Sequence, residues 1–468
     1  MNAYLIYAIP NERYDMSSQE YTTCGTFCPL PWNSINIRNN GDLRVCCNAN
    51  SYSPQKGILR KSDGVAYNAS KDDFDDARNA PLLKDVRATM LRGEWHAECE
   101  RCKQEETNGV LSRRQMENND WELKADRAAE ITTEDGSINP ADQEIEYFDI
   151  RYGNFCNLKC RMCGPTDSHQ WYDDFVKLHG TTSYKDTHER VQLVKNEKGR
   201  WTTDQYDWFK DSNMYWNNFE KHTKNAKKLY IVGGEPLIID EHIESLERLV
   251  SNGTAAGIQI EYNTNLTNVT DRILNLWKHF KEIRIGASID ACNEVFDYQR
   301  APAKWTQVYE NLKKIDARND INFKCWYAFT ITPFNVFHFP EFMKWKLTES
   351  NLVKFNPVES YRPIVSYHMC HSPKYYNIKV LPADMKQQVV EHYKPYKDWI
   401  TATNFSTHVK KHFIKHLDSV EKFMLSEDYS TEWLPQFIKI TTDLDKIRNQ
   451  NVLDIVPQFA DMFNAHNK

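Results

Sequence analysis

The chain has 468 residues, 40 % of them hydrophobic and 13 % aromatic, which excludes global disorder and calls for two or three domains around a sizeable core. Its formal net charge of −6 excludes a broad basic field of the kind that attracts nucleic acid non-specifically. No run of ~18 apolar residues occurs, and residues 1–14 lack the basic and apolar regions of a signal peptide, so neither a membrane span nor export is expected.

Residues 24–121 are cysteine-rich and loop-rich and form the body of an expected N-terminal α+β domain over 1–127. A hairpin is predicted over 35–45, where Asn40-Gly41 is a turn pair between two alternating runs. Residues 81–93 read as a helix, with Leu82, Val86 and Met90 on one stripe and Gly93 as the stop. Residues 128–143 are mostly acidic, polar or small and read as a linker.

From 144 to 372 strands and helices alternate. The first strand, 146–152, runs into a short cysteine loop, and a helix capped by Thr166 or Asp167 and stopped by Gly180 follows. The stretch 181–225 is polar and aromatic and too long for an ordinary connection, so it reads as an insertion. The second strand, 228–232, ends in Gly233-Gly234-Glu235-Pro236, and its helix begins at Asp240. Further strands are predicted at 258–262, 283–289, 323–331 and 352–355. Two of the helices between them carry Ile273, Leu276, Trp277 and Phe280, and Val308, Leu312 and Ile315. This alternation predicts a parallel sheet with helices outside, and six units make a partial (β/α)6 TIM-like barrel of the α/β class. Residues 373–468 are expected to be a C-terminal helical extension with no motif that carries chemistry.

Most of the twelve cysteines lie in short groups rather than in a disulfide framework. Without an export signal, that favours metal or cluster binding in a reducing cytoplasm. The sharpest group is Cys156-Asn157-Leu158-Lys159-Cys160-Arg161-Met162-Cys163. Three thiolates in one loop can hold three irons of a cubane 4Fe–4S cluster and leave the fourth iron open to a small molecule. Zinc wants four ligands in paired spacing, and the nearest fourth candidate, His169, falls in an expected helix.

The spacing of Cys156, Cys160 and Cys163 resembles the signature of the radical S-adenosylmethionine (radical SAM) enzymes, over residues 144–358. Gly233-Gly234-Glu235-Pro236 looks like that family's GGEP motif, where the strand end contacts the methionine part of the cofactor. Two glycines let the backbone approach a ligand, while Glu235 can accept from an ammonium or hold the strand end in place. The resemblance also implies ribose contacts from Ser288 and Asp290, at alternate positions closing the fourth strand. Asn263 and Asn265 either point to the same site or cap their strand, and Asn335 is a candidate for the adenine neighbourhood. Where the family often has an aromatic residue before the third cysteine, this chain has Met162, which still offers adenine an apolar contact and a backbone edge.

In the N-terminal unit, Cys28, Gly41 and Cys46, followed by the pair Cys99 and Cys102, are similar to the first half of a SPASM domain, the shortened form called twitch. That resemblance implies an auxiliary 4Fe–4S cluster on Cys28, Cys46, Cys99 and Cys102, with Cys47 as an alternative to Cys46 and zinc as an alternative to the cluster. The module precedes the barrel here, whereas in most relatives it follows. Cys24 is an extra ligand or a spare thiol, and Cys292, Cys325 and Cys370 read as packed thiols; Cys370 with His368 and His371 is a minor further candidate.

The resemblance implies reductive cleavage of S-adenosylmethionine to a 5′-deoxyadenosyl radical, which takes hydrogen from an unidentified substrate, a peptide or protein being one class. It also implies an electron donor such as flavodoxin or ferredoxin. Tyr298 and Arg300 either line the mouth or pack, and the aromatic run 201–219 is a lid, a docking surface or packing against the N-terminal unit. Two other classes stand beside this reading: an iron–sulfur electron-transfer or binding protein without radical chemistry, and a zinc-stabilised interaction protein.

Overall fold

The computed structural model describes residues 25–107, 111–185, 189–356 and 364–466. Cys24 and the amino-terminal stretch lie outside the described residues. The fold is α/β, built on one sheet of eight strands: β1 (Ser34–Ile37), β2 (Leu43–Arg44), β3 (Tyr147–Arg151), β4 (Lys228–Val232), β5 (Gln259–Thr264), β6 (Glu282–Ser288), β7 (Phe323–Ile331) and β8 (Ser366–Met369). Their spatial order is β8-β7-β6-β5-β4-β3-β1-β2. β3 to β8 are parallel neighbours in sequence order, which is the six-unit partial barrel expected.

Several elements differ from expectation. The helix after the cysteine loop begins at Trp171, with Gln170 rather than Thr166 or Asp167 at its cap. The last barrel strand is β8, not 352–355, which is a turn. Leu352 and Phe355 are buried there, and so short an apolar run has no periodicity that separates a strand from a packed turn. The N-terminal unit is also not separate from the barrel. Its hairpin forms around Asn40-Gly41 as expected, with Gly41 at φ +85°, but β1 then pairs in parallel with β3 and extends the sheet.

The sheet has two chemically distinct faces. Phe148, Ile150, Leu229, Ile231, Ile260, Ile283, Ile285, Tyr327 and Phe329 are buried against the helical layer. Alternate positions carry Asp149, Arg151, Lys228, Tyr230, Glu261, Asn263, Arg284, Ser288, Lys324 and Trp326, so the concave face is polar. Across it, Lys228 pairs with Glu261 at 3.1 Å and Lys324 with Glu282 at 2.6 Å.

Residues 128–143, expected as a linker, are packed. Ile131 and Ile138 are buried, Arg87 donates to the Gly136 carbonyl at 3.2 Å, and a Cβ on Gly136 would lie 2.0 Å from the Lys84 carbonyl oxygen. The insertion forms two small hairpins (Ser183–Lys185 with Arg190–Gln192, Val194–Lys195 with Trp201–Thr202) and the helix Asn213–His222. Its aromatic residues Trp208, Phe209 and Tyr215 pack around Tyr152 at the end of β3. Beyond the barrel the chain is helical, with long helices Ala383–Ala402, Thr407–Leu425 and Ser430–Arg448. No helix among the described residues is long and apolar enough to cross a membrane.

Candidate functional site

The cysteine loop leaves β3 at its C-terminal end. It is held on three sides. From the barrel, the carbonyls of Ala301 and Gln299 accept the Lys159 and Arg161 N–H groups, both at 2.8 Å. From the helix Trp171–His179, the Trp171 indole donates to the Cys160 carbonyl at 2.8 Å. From the C-terminal helix Ser430–Arg448, Asp445 pairs with the fully buried Arg161, whose guanidinium lies 3.7 Å over the Tyr298 ring. Arg448 on the same helix binds Asp174 at 2.8 Å, and Lys159 binds that carboxylate at 2.9 Å. The helical extension, expected to carry no chemistry, therefore clamps the loop.

Cys156 and Cys160 are buried and Cys163 is partly so, and all three are free thiols. Burial pushes the Cys156 thiol well up, and the Cys163 thiol, donating to Cys160, rises while Cys160 falls. The Leu158 N–H donates to Cys156 Sγ at 3.4 Å, and two side-chain donors reach the sulfurs from outside the loop: Asn265 Nδ2 to Cys156 Sγ at 3.9 Å, and Arg300 Nη1 to Cys160 Sγ at 3.8 Å. Buried thiols that share a loop and face amide and guanidinium donors suit thiolate ligation of an iron–sulfur cluster. His169 is not a fourth ligand to this set: its Nδ1 accepts the Cys156 N–H at 3.2 Å, and its ring stacks on Phe155.

The Gly233-Gly234-Glu235-Pro236 strand end docks onto the same loop. A Cβ on Gly234 would sit 2.0 Å from the Phe155 carbonyl oxygen, and the Glu235 N–H donates to that carbonyl at 2.6 Å. Glu235 is 1 % exposed, and its carboxylate accepts from Thr264 Oγ1 at 2.6 Å, the Asn265 N–H at 2.6 Å and the Leu237 N–H at 3.1 Å. Of the two roles open to Glu235, the geometry gives it the strut. Burial raises its pKa to about 7 despite those donors.

Asp290, expected at the ribose, is fully buried and committed: Arg300 binds Oδ2 through Nε at 2.8 Å and Nη2 at 2.7 Å, and the Thr330 N–H takes Oδ1 at 2.8 Å. It acts on the site through Arg300. Asn335, expected near adenine, is also saturated, donating to the carbonyls of Asp290 and Thr330 and accepting the Thr332 N–H. Ser288 is half-buried on the concave face, and Met162 is half-buried in the loop. Asn263 donates to the Tyr230 hydroxyl at 2.7 Å, while its Oδ1 is buried without a partner beside Gly286, where a Cβ would come within 2.4 Å. An orphaned acceptor facing a glycine, with Ser288 nearby in the ladder, suits a polar ligand lying across the strand ends.

The N-terminal thiols separate into two groups. Cys28, Cys46, Cys99 and Cys102 line one cavity with Leu30, Pro31, Asn48 and Arg113. Burial pushes all four up, Cys99 to about 12, and repulsion between neighbouring thiolates adds to it. Cys47 is absent from that lining, though its charge also acts on Cys46 and Cys102; its other charged neighbours are Arg113 and Glu117 of the N-terminal unit and Asp149 and Arg151 of β3. Arg113 serves both places, lining the thiol cavity and donating to the Tyr147 hydroxyl at 3.1 Å. Cys292, Cys325 and Cys370 are buried thiols outside any disulfide. Cys370 lies within the fold at the end of β8 and donates to the Ser372 carbonyl, and His368 contacts Thr330.

Arg300 is the residue that sequence reasoning undervalues. Its sequence context offers a mouth or packing role, yet it is 8 % exposed and bridges Asp290 to Cys160. A lone arginine after a strand gives no sequence signal of its contact with a loop 140 residues away.

Residues 150–345 match the sequence profile of the Radical SAM superfamily. Among curated proteins none matches the chain. Solved structures with a similar course include histidine-tagged anSMEcpe with bound AdoMet, at 16 % identity and a TM-score of 0.32, covering 55 % of this chain and 59 % of that one. SuiB of Streptococcus suis bound to S-adenosylmethionine is similar at 14 % identity and a TM-score of 0.31, over 72 % of this chain and 68 % of that one. SuiB bound to its precursor peptide SuiA gives 12 % identity and 0.29, over 71 % and 68 %. The chain thus spans less than two thirds of the first of these, and likenesses this distant carry no argument about activity.

Proposed function

We propose that this chain, a radical SAM enzyme by its domain over residues 150–345, acts on a peptide or protein substrate and carries an auxiliary iron–sulfur cluster in its N-terminal unit. The carrying observation is the lock between the two motifs: the Gly234 backbone lies against Phe155, one residue before Cys156, and Glu235 ties Asn265 to the same loop. When bound, a 4Fe–4S cluster with S-adenosylmethionine supplies a 5′-deoxyadenosyl radical by reductive cleavage.

The chain's own residues supply the rest. Cys156, Cys160 and Cys163 are the cluster ligands in this reading, and Asn265 and Arg300 orient and stabilise their sulfurs. Asn263, Ser288 and the Gly233–Gly234 backbone present polar groups to the cofactor, with Met162 against adenine. Cys28, Cys46, Cys99 and Cys102 hold the auxiliary cluster, and Arg113 forms the wall it shares with the barrel. Flavodoxin or ferredoxin is the donor class, in the cytoplasm.

The test is anaerobic reconstitution followed by assay of iron, sulfide and 5′-deoxyadenosine formed from S-adenosylmethionine under a strong reductant. About eight irons per chain with deoxyadenosine is the expected result. Zinc in place of iron, or iron with no cofactor cleavage under any reductant, overturns it in favour of a binding or electron-transfer protein.

A further inference from the structure

One cluster of metal-binding side chains contains no cysteine. The N-terminal unit supplies Asp73, which caps the short helix Phe74–Arg78, and Asp75 in its first turn. The insertion supplies His222, the last residue of the helix Asn213–His222. One ligand atom from each of the three lies within 4.8 Å of the other two. His222 is 4 % exposed, and its Nε2 is buried with no hydrogen-bond partner. That nitrogen faces Asp75 Oδ2 at 3.8 Å, too long for a hydrogen bond but suited to a shared third atom.

The geometry points to a divalent transition-metal site on Asp73, Asp75 and His222, with zinc as the first metal to fit one imidazole and two carboxylates. The framework is already rigid. Asn218 accepts the Phe74 N–H at 3.2 Å and donates to the Asp72 carbonyl at 2.9 Å, and Ser212 donates to the Ser70 carbonyl at 3.1 Å. The His222 ring stacks on Phe74. These contacts fix the backbones that carry the ligands.

A cation already visits the position. Lys221 Nζ lies 2.6 Å from Asp75 Oδ2 and 3.8 Å from Asp73 Oδ2, on a side chain that is half exposed. A metal ion would take that place, and Lys221 would swing to solvent. Arg78, 3.5 Å from Asp75 Oδ1, would remain as the second positive neighbour. The ion would pin the insertion to the N-terminal unit, a structural role with water completing its shell.

The test uses the protein with its iron sites reconstituted, so that no cluster cysteine is open to zinc. Zinc bound per chain is measured by equilibrium dialysis and elemental analysis for the wild type, His222→Ala, Asp75→Asn, Asp73→Asn and Lys221→Ala. About one zinc per chain beyond the iron is expected in the wild type, with loss in the first three variants, tighter binding in Lys221→Ala, and a zinc-dependent rise in melting temperature only where zinc binds. If buried His222→Ala does not fold, the more exposed Asp73→Asn carries the test. No zinc beyond the iron sites, zinc undiminished in Asp75→Asn and Asp73→Asn, or no tighter binding in Lys221→Ala overturns the assignment.

Discussion

Arg161, in the middle of the cysteine loop, is bound to Asp445, on the last long helix, across 284 residues of sequence. The guanidinium has no solvent exposure and lies over the Tyr298 ring, whose hydroxyl donates to the same carboxylate at 2.9 Å. A charge buried this deeply needs its partner. Arg161→Ala leaves Asp445 with Tyr298 and the Val452 N–H, whereas Asp445→Ala leaves a buried cation facing the neutral Gln450 amide. Asp445→Ala is expected to be the worse of the two, costing about 3–5 kcal/mol, and both should release iron faster from the loop. Urea unfolding and iron retention on dilution check this; equal stability to wild type would show the clamp is idle.

Gly234→Ala should be far more harmful than its one carbon suggests. The added Cβ meets a backbone carbonyl at 2.0 Å, at a φ of +45°, so the loop before Cys156 must move. Deoxyadenosine formation should fall by more than about tenfold, because misplacement of reacting groups by ~1 Å is that costly. Gly64→Ala, also at positive φ but in open space, should lose only about 1 kcal/mol of stability and no activity.

Arg300 is a positioning residue whose removal has an electrical readout. Its Nη1 donates to Cys160 Sγ while Asp290 holds the other side of the guanidinium. Removing a cation and an N–H···S contact from an anionic cluster disfavours reduction. Arg300→Met should shift the reduction potential negative, on the order of 60 mV for a tenfold change in a one-electron equilibrium. A redox titration followed by electron paramagnetic resonance reads the shift, and an unchanged potential would assign Arg300 to packing alone.

Two buried glutamates should give opposite pH slopes. Burial raises Glu235 to about 7, so between its unfolded value near 4.5 and 7 the folded state holds the proton that the unfolded state has lost. Its contribution to stability is greatest below the unfolded value and falls as pH rises through that window. Glu261 runs the other way: burial opposes its charge, but Lys228, Arg284 and Arg113 hold it at about 2. Its contribution is present above the unfolded value and is lost as pH falls toward 2. The stability of wild type relative to Glu235→Gln should therefore decline from pH 4.5 to 7, and that relative to Glu261→Gln should decline from pH 4.5 downward, each by up to a few kcal/mol. Denaturation at a series of pH values checks both slopes.

The adjacent thiols Cys46 and Cys47 should behave differently. Cys46 lines the four-thiol cavity, and Cys47 faces Arg113, Asp149 and Arg151. Cys46→Ala should lose the auxiliary iron, about four per chain, while Cys47→Ala keeps it. Iron analysis of the two reconstituted variants decides; the reverse pattern would exchange their assignments.

Local chemistry makes much of this molecule legible without coordinates. β4 and β7 fall where their apolar runs place them, and Gly180 ends its helix in the left-handed conformation. The three-cysteine loop and the glycine strand end announce themselves because each is contiguous. What stays hidden is what depends on distant partners. Asp290 and Asn335 have the right residue types for ligand contacts, yet Arg300, Thr330 and Thr332 consume their hydrogen-bonding capacity. β8 escapes a sequence reading because Ser366–Met369 has no apolar run, and β1 gives no hint of the barrel because a four-residue strand carries no mark of which sheet it will join.

That last pairing has a consequence for assembly in the cell. Ser34 lies beside Tyr147, about 110 residues further along the chain, so a ribosome delivers β1 well before the strand that completes it. Until β3 emerges, the cysteine unit has an unpaired edge and thiols open to air and to stray metals. Oxygen exclusion and timely iron delivery during synthesis, rather than afterwards, should then govern how much sound protein a cell can accumulate.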